Sequence, residues 1–286
     1  MIPAAFDYVR PATLDDALRA LSEAGEDAKV LAGGQSLIPL LRLRLAAPTA
    51  LVDLGRIDDL RGVHDDGDAL VIGAMTTHAT VLTDPLVARH APLLAQATAK
   101  VADRQVRHLG TIGGSLAHAD PAGDLPAVAL ALEATVELAG PNGRRTLPVS
   151  DFFVDYLTTA AAPDEVLTAV RVPKHDGWSS HYEKFSRVAQ AWAMVGVAAL
   201  VRRDNGSIAE ARVALTNMGS TPVRASAVES ALAGAAAQAD SVAAAAEQAA
   251  EGTNPASDLA ASAEYRAHLA RVLTERAVSA ALGSAP

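Results

Sequence analysis

Residues 29–48 read KVLAGGQSLIPLLRLRLAAP. The apolar residues 30–32 predict a short strand, and the pair Gly33-Gly34 that follows predicts a tight turn. Leucines then recur at helical spacing over residues 37–45, and Pro48 marks the end of that helix. A strand that leads through glycine into a helix is the local plan of an α/β unit.

The flanking sequence extends this plan in both directions. Thr13 is suited to cap a helix whose apolar positions fall on one face, and Gly25 is suited to end it. Residues 50–54 (ALVDL) are mostly apolar and predict a further strand. We therefore expect a β-α-β-α-β unit with a parallel sheet at the start of the chain.

A second glycine pair occurs about eighty positions later, in TIGGS at residues 111–115. We call residues 32–36 (AGGQS) the first glycine segment and residues 111–115 the second glycine segment. Glycine lets backbone N–H groups approach a ligand closely, so each segment could form a cradle for phosphate oxygens, and two cradles suit a diphosphate. Ordinary tight turns are the alternative for each. Neither segment matches the dinucleotide-binding or P-loop patterns.

The segment around the second glycine pair, residues 104–126, is rich in Gly, Asp, His and Pro. We expect it to be the least regular part of the chain. His118, Asp120 and Asp124 could offer three metal ligands there, but nothing elsewhere in the sequence completes a site. Polar contacts to a nucleotide, or Asx turns that stabilise the loop, fit these side chains better.

The rest of the chain alternates strands and turns before it becomes helical. Pro141-Asn142-Gly143 predicts a hairpin, and residues 165–172 predict one more strand. The polar residues 174–181 are the best candidate domain boundary. Three further strands are predicted beyond it, followed by an alanine-rich helical tail that ends in residues 264–282.

The composition excludes several classes of function. The chain has 286 residues, a formal net charge of −9 and no cysteine. The acidic balance argues against nucleic acid and anionic membranes as partners, and we expect no membrane insertion because no apolar run is long enough. The absence of cysteine excludes iron–sulfur ligation and cysteinyl attachment of a cofactor. We expect a cytoplasmic protein that handles electrons, if at all, through an organic cofactor or another chain.

An ordered series of short motifs resembles one known family. They are FDYVRP at 6–11, AGGQSLIP at 32–39, VDL at 52–54, IGAMTT at 72–77, TIGGS at 111–115, AHADP at 117–121, LTN at 215–217 and EYR at 264–266. Their order is similar to that in the FAD-binding medium subunits of the carbon monoxide dehydrogenase and xanthine dehydrogenase family of molybdenum hydroxylases. The resemblance covers essentially the whole chain.

The resemblance implies an α+β fold in three parts. Residues 1–57 and 58–176 would be the two subdomains of an FAD-binding region of the vanillyl-alcohol-oxidase type, also called PCMH-type. Residues 177–286 would be a C-terminal domain with a small antiparallel sheet and helices.

The resemblance also implies which residues contact a noncovalently bound FAD. Both glycine segments would hold the diphosphate and neighbouring oxygens, and an aromatic side chain would lie against the isoalloxazine ring. A solvated surface amine is the alternative for Lys29, and core packing is the alternative for Trp192. The implied cofactor contacts are Lys29, Ala32, Gly33, Gly34, Gln35, Ser36, Val101, Thr111, Ile112, Gly113, Gly114, Ser115, Asp124, Leu167, Lys184 and Trp192.

The implied function is electron transfer, with no catalytic side chain and no metal in this chain. Electrons would come from a [2Fe-2S] small subunit and a molybdopterin large subunit, in a dimer of heterotrimers, and would pass to an external acceptor. Gln35, Ser115 and Ala191-Trp192 depart from the carbon monoxide branch, which has His, Asn and Asp-Tyr there. The substrate is therefore open among carbon monoxide, an N-heterocycle, an aldehyde and others. A stand-alone FAD oxidase and a cofactor-free scaffold subunit are the alternative hypotheses.

Overall fold

The computed structural model describes residues 2–283. Met1, which begins the first predicted part, and residues 284–286, which end the third, lie outside the described residues. The strands are β1 Asp7–Val9, β2 Lys29–Leu31, β3 Ala50–Asp53, β4 Val63–Asp66, β5 Ala69–Gly73, β6 Thr135–Gly140, β7 Gly143–Pro148, β8 Phe153–Asp155, β9 Thr158–Thr159, β10 Val166–Pro173, β11 Ser179–Phe185, β12 Val195–Asp204, β13 Ser207–Thr216 and β14 Val223–Arg224. The helices are α1 Leu14–Ala24, α2 Leu37–Leu43, α3 His78–Thr83, α4 Pro85–His90, α5 Pro92–Ala99, α6 Arg104–Leu109, α7 Ile112–His118, α8 Asp124–Ala131, α9 Val149–Phe152, α10 Ser226–Leu232, α11 Ala239–Ala246 and α12 Ala263–Ala281, with 3₁₀ turns at Asp58–Leu60 and Glu247–Ala250.

The first sheet has the predicted β-α-β-α-β connection. Its strand order is β1-β3-β2, and β3 pairs in parallel with both neighbours. The Thr13 hydroxyl accepts from the Asp16 amide at the start of α1, and Gly25 ends the helix at a φ of 78°. Ala17 and Leu21 of α1 pack against the buried residues of β3. The parallel unit therefore places the first glycine segment directly after β2, where the chain leaves the sheet.

The second sheet is antiparallel and carries most of the helices that surround the cavity described below. Its order is β4-β5-β10-β6-β7, and the central strand β10 pairs with β5 and β6. The predicted hairpin forms between β6 and β7, with Gly140 opposite Gly143. Helices α3, α4, α5, α7 and α8 contribute apolar side chains to one core on this sheet.

The third sheet, in the order β11-β12-β13-β14, has both faces covered. One face packs on α10, α11 and α12 around Val197, Val213 and Leu273. The other face contributes Tyr182 and Leu200 to the core of the second sheet, against α5 and α8. Because side chains alternate along a strand, the same strands serve two cores. These three sheets lie in separate ranges, at residues 7–53, 63–173 and 179–224, and a two-stranded sheet, β8-β9, lies within the second range.

The prediction of irregular structure over residues 104–126 is wrong. The helices α6 and α7 and the start of α8 occupy most of it. The Asp103 carboxylate accepts from the Val106 amide to begin α6, and the Thr111 hydroxyl accepts from the Gly114 amide to begin α7. The glycines lie inside α7 because of packing: a Cβ on Gly113 would lie 2.5 Å from the Cβ of Ala74. No helix among residues 2–283 is both long enough and apolar enough to span a bilayer.

Candidate functional site

A cavity of about 670 Å³ opens where the three sheets and their helices meet. Its lining comes from the first glycine segment and α2, from the second glycine segment and α7, and from the loop before β10. The start of the third sheet and the loop after β11 close it with Lys184 and Trp192. The volume lies within the range of organic cofactor and ligand sites.

The first glycine segment presents free backbone donors to this cavity. Within residues 2–283, the amides of Gly33, Gly34, Gln35, Ser36 and Leu37 have no protein acceptor. Gly34 adopts a φ of +72°, a conformation that favours glycine, and this turns the chain between β2 and α2. The Ser36 hydroxyl is not used to cap α2. Consecutive free amides beside a hydroxyl form a site suited to anionic oxygens.

The two glycine segments lie against each other. A Cβ on Gly33 would lie 2.1 Å from the Leu109 carbonyl oxygen, so only glycine permits this approach. A Cβ on Gly114 would lie 3.5 Å from the Cβ of Ala32. The segments are about eighty residues apart in the sequence, and the fold places both on one cavity.

The second glycine segment does not form a cradle of free amides, and that part of the sequence interpretation is corrected. The Ile112 amide donates to Thr76 O at 3.0 Å, and the Gly113 amide donates to Ala74 O at 2.9 Å. The Gly114 amide donates to the Thr111 hydroxyl at 3.1 Å, and the Ser115 amide donates to Thr111 O at 3.0 Å. What this segment can offer a ligand is its shape and the side-chain hydroxyls of Thr111 and Ser115.

Three polar side chains form a buried triad at the wall of the cavity. Lys184 donates from Nζ to Asp124 Oδ2 at 2.8 Å, and Tyr182 donates its hydroxyl to Asp124 Oδ1 at 2.6 Å. The side chains of Lys184 and Asp124 are 5% and 4% exposed. Burial raises the pKa of Asp124, while the charge and hydrogen bond of Lys184 and the hydrogen bond of Tyr182 act against that rise. Burial also raises the pKa of Tyr182 well above its ordinary value, so the phenol stays a donor.

His78 is a neutral side chain of the cavity wall. Burial, with a smaller contribution from the charge of Arg107, lowers the pKa of His78 to about 4. Its amide donates to Gly110 O at 2.9 Å, directly before the second glycine segment. The imidazole is therefore uncharged at neutral pH and adds no cation to the site.

Known proteins match the chain along its length. Residues 4–175 match the family described as "FAD binding domain in molybdopterin dehydrogenase", and residues 180–281 match "CO dehydrogenase flavoprotein C-terminal domain". The chain belongs to the family of FAD-binding medium subunits of molybdopterin dehydrogenases. The resemblance identified from the sequence, the α+β fold and FAD as the family's cofactor are confirmed.

Individual relatives differ in what their names say they oxidise. The carbon monoxide dehydrogenase medium chain of Hydrogenophaga pseudoflava is 42% identical over 98% of this chain and 98% of that one. The 6-hydroxypseudooxynicotine dehydrogenase complex subunit alpha of Paenarthrobacter nicotinovorans is 38% identical over 99% of this chain and 96% of that one. The solved structure of the H. pseudoflava carbon monoxide dehydrogenase lacking the Mo-pyranopterin moiety aligns with a TM-score of 0.96 and 42% identity, over 100% of both chains.

The structure brings nearly all of the family's expected contact residues to the cavity. With the exception of one residue, the cavity is lined by both glycine segments and by Lys29, Val101, Asp124, Leu167, Lys184 and Trp192. Ile112 is 2% exposed and packs in the core of the second sheet instead. Trp192 lies at the rim and is 55% exposed, so core packing is not its role in this chain.

Other lining residues carried no signal that the sequence analysis used. The loop at residues 157–167 forms one wall, and it is held from outside the cavity. Arg145 donates to both Glu165 oxygens, at 2.7 and 2.6 Å, and to Ala160 O at 2.7 Å. The Arg145 hydrogen bond is the main cause that lowers the pKa of Glu165. Within the described residues no group of three His, Cys, Asp or Glu side chains is arranged to hold a metal ion.

Proposed function

We propose that the cavity holds one FAD without a covalent bond and that the chain is the electron-transfer subunit of a molybdenum hydroxylase. The observation that carries this proposal is the run of free amides at residues 33–37, beside a cavity of cofactor size, in a chain of this family. A diphosphate supplies the anionic oxygens that such amides bind. The residues present therefore fit the cofactor that the family implies.

Each wall of the cavity has a distinct task in this proposal. The amides of Gly33 to Leu37 and the hydroxyls of Ser36 and Ser115 would hold the diphosphate and ribityl oxygens. Lys29 at the rim would add positive charge, and Val101 and Leu167 would cover apolar parts of the cofactor. Trp192 would lie against the isoalloxazine ring. The flavin supplies the redox chemistry, so no side chain here has to act as a general acid or base.

The proposal includes partner subunits, because this chain contains no cysteine and cannot ligate iron–sulfur clusters itself. The electron donor would be a [2Fe-2S] small subunit fed by a molybdopterin large subunit, with two heterotrimers forming the complex. The names of relatives, a medium chain and a complex subunit, support this arrangement. We further propose that the division at residues 57 and 176 separates the three parts, and that the complex is cytoplasmic.

Purification from the native host tests the proposal most directly. The chain should co-purify with two other polypeptides, and the fraction should contain molybdenum, iron and one FAD per copy of this chain. Acid precipitation should release all yellow colour to the supernatant. A chain that purifies alone without flavin contradicts the proposal, and colour retained in the pellet contradicts noncovalent binding.

A further inference from the structure

We propose that Tyr182 is a positioning residue of the FAD site, through which the C-terminal domain orients the Asp124–Lys184 pair at the cavity wall. This inference rests on the proposed function, since FAD is the ligand whose binding it concerns. Tyr182 does not line the cavity and acts only through Asp124.

The placement of these side chains follows from the period of a strand. Tyr182 and Lys184 are two residues apart on β11, so both project from the same face of the third sheet. That face packs on α8, whose first residue is Asp124. One strand of the C-terminal domain thus delivers both hydrogen-bond donors to a carboxylate of the FAD-binding region.

Counting donors and acceptors shows what the triad leaves for a ligand. Each Asp124 oxygen receives one hydrogen bond, from Tyr182 or from Lys184. The Lys184 ammonium has three N–H donors and uses two, one for Asp124 and one for Lys100 O at 3.1 Å. Lys184 lines the cavity, so its remaining N–H is available to a ligand there. The triad presents one cationic donor whose direction Asp124 fixes.

Tyr182 maintains this arrangement because Asp124 is deeply buried. A buried carboxylate oxygen without a donor favours the protonated form, and burial already raises the pKa of Asp124. Removal of the phenol hydroxyl therefore shifts Asp124 toward the neutral acid, which frees the Lys184 ammonium to reorient. The nearby titratable groups are His118, the last residue of α7, and Asp120 on the loop that follows. The His118 Nε2 and Asp120 Oδ2 atoms are 3.9 Å apart, and both residues line the same cavity.

The chain offers a matched control for this interaction. Tyr8 also donates its hydroxyl to an aspartate, Asp53, and neither residue lines the cavity. Y8F therefore removes the same kind of hydrogen bond at a more exposed tyrosine that is not part of the cavity lining. Gly196 offers a second route to the same perturbation, because a Cβ there would lie 2.5 Å from the Tyr182 hydroxyl oxygen. G196A should displace that hydroxyl while the tyrosine remains.

The experiment is an FAD titration of the protein that is isolated with its accompanying subunits and then stripped of flavin. Binding is measured by the quenching of flavin fluorescence at pH values from about 5.5 to 9. Y182F and G196A should each raise the FAD dissociation constant about tenfold. An effect of this size is typical of substitutions that act on a ligand through a neighbouring side chain. The increase should be largest at the low-pH end, where protonated Asp124 is favoured, and Y8F should match the wild type throughout. In a D124N background, Y182F should add less than about a twofold change, because its partner is gone.

The outcomes separate this inference from the proposed function. If the wild type binds FAD and both Y182F and G196A bind it equally well, Tyr182 is not a positioning residue. Additive effects of Y182F and D124N, or an effect of Y182F that is independent of pH, would assign Tyr182 to core packing and overturn the inference. A variant that does not fold leaves the decision to the other one. A wild type that binds no FAD overturns both the inference and the proposed function.

Discussion

The two glycine segments look alike in sequence, AGGQS and TIGGS, yet they are opposite in the availability of their backbone donors. In the first segment and at Leu37, five consecutive amides have no acceptor within residues 2–283. In the second, the amides of Ile112 to Ser115 all donate within the protein. Both pairs of glycines let pieces of backbone pack closely, but only the first pair also leaves backbone donors free for a ligand.

The difference comes from conformation and neighbours rather than from residue type. Gly34 has a φ of +72°, and this turns the chain away from the sheet before α2 begins. Gly113 lies inside α7 against Ala74, and its backbone has no such requirement. A glycine pair followed by serine therefore indicates close approach, and only the surrounding structure decides what approaches.

The largest expected effect separates the segments by their glycines. G34V should abolish FAD binding, because a β-branched residue resists positive φ and the run of free amides would be rebuilt. G25V is the matched control, since Gly25 has a φ of +78°, no atom within 4 Å of its Cβ position and no place on the cavity lining. FAD bound per folded chain and unfolding by urea measure the two effects separately.

We expect both variants to be destabilised, because each places valine at a positive φ, and we expect only G34V to lose FAD. G113V should also lower the free energy of unfolding, by about 1–3 kcal/mol, but because its side chain would collide with Ala74 rather than because of a positive φ. FAD retained by G34V at wild-type affinity would end the distinction between the segments.

A second, smaller effect concerns the loss of stability in acid near the second glycine segment. Because the pKa of His78 is lowered to about 4 from 6.5, the unfolded chain binds a proton between these values while the folded chain does not. Stability contributed by neutral His78 is therefore present above pH 6.5 and is lost as the pH falls toward 4, by about 3 kcal/mol in total. The free energy of unfolding, measured by urea at pH 7, 6, 5 and 4.5, should fall accordingly.

Two variants test the origin of this loss. H78Q should remove the corresponding part of the slope between pH 6.5 and 4.5, whatever its stability at pH 7. H64Q replaces an exposed histidine and serves as the control for loss of an imidazole. Hydrogen exchange should locate the acid effect at residues 110–115, which bond to residues 74–78. An unchanged slope in H78Q would exclude His78 as the cause.

The smallest expected effect compares the serines that end the two segments. S36A and S115A should each weaken FAD binding by about 1 kcal/mol, or roughly fivefold, as loss of one hydrogen bond. S115A removes a main polar group that the second glycine segment can offer to a ligand, whereas S36A leaves the free amides of the first glycine segment in place. S150A, at an exposed serine off the cavity, is the control. No change in S115A would reduce the second segment to a purely steric role.

The sequence predicted those parts of the fold whose signals are local. The cap at Thr13, the end at Gly25 and the hairpin at residues 141–143 each need only a few neighbouring residues, and all formed as predicted. The helices at residues 104–126 were missed because their glycine and aspartate content reads as loop. The cap at Thr111 is a local signal that the glycine content outweighed, whereas the contact of Gly113 with Ala74 lies in tertiary structure.

The candidate site was predictable to a similar degree. The residues that were expected from the order of the motifs line one cavity, with the exception of Ile112. Motifs could not show which amides are free, since that depends on partners such as Thr76 and Ala74. Tyr182 was missed although its spacing from Lys184 is visible, because its partner Asp124 is 58 positions away.

Both faces of the third sheet are covered, and one of them packs on the FAD-binding region. The FAD-binding region therefore needs the C-terminal part as a structural neighbour. Truncation of the chain near residue 176 would expose apolar side chains of α5 and α8. It would also leave the Asp124 carboxylate in an apolar environment without its cationic partner. A fragment that ends there should aggregate, because the apolar surface that the third sheet covers would be exposed.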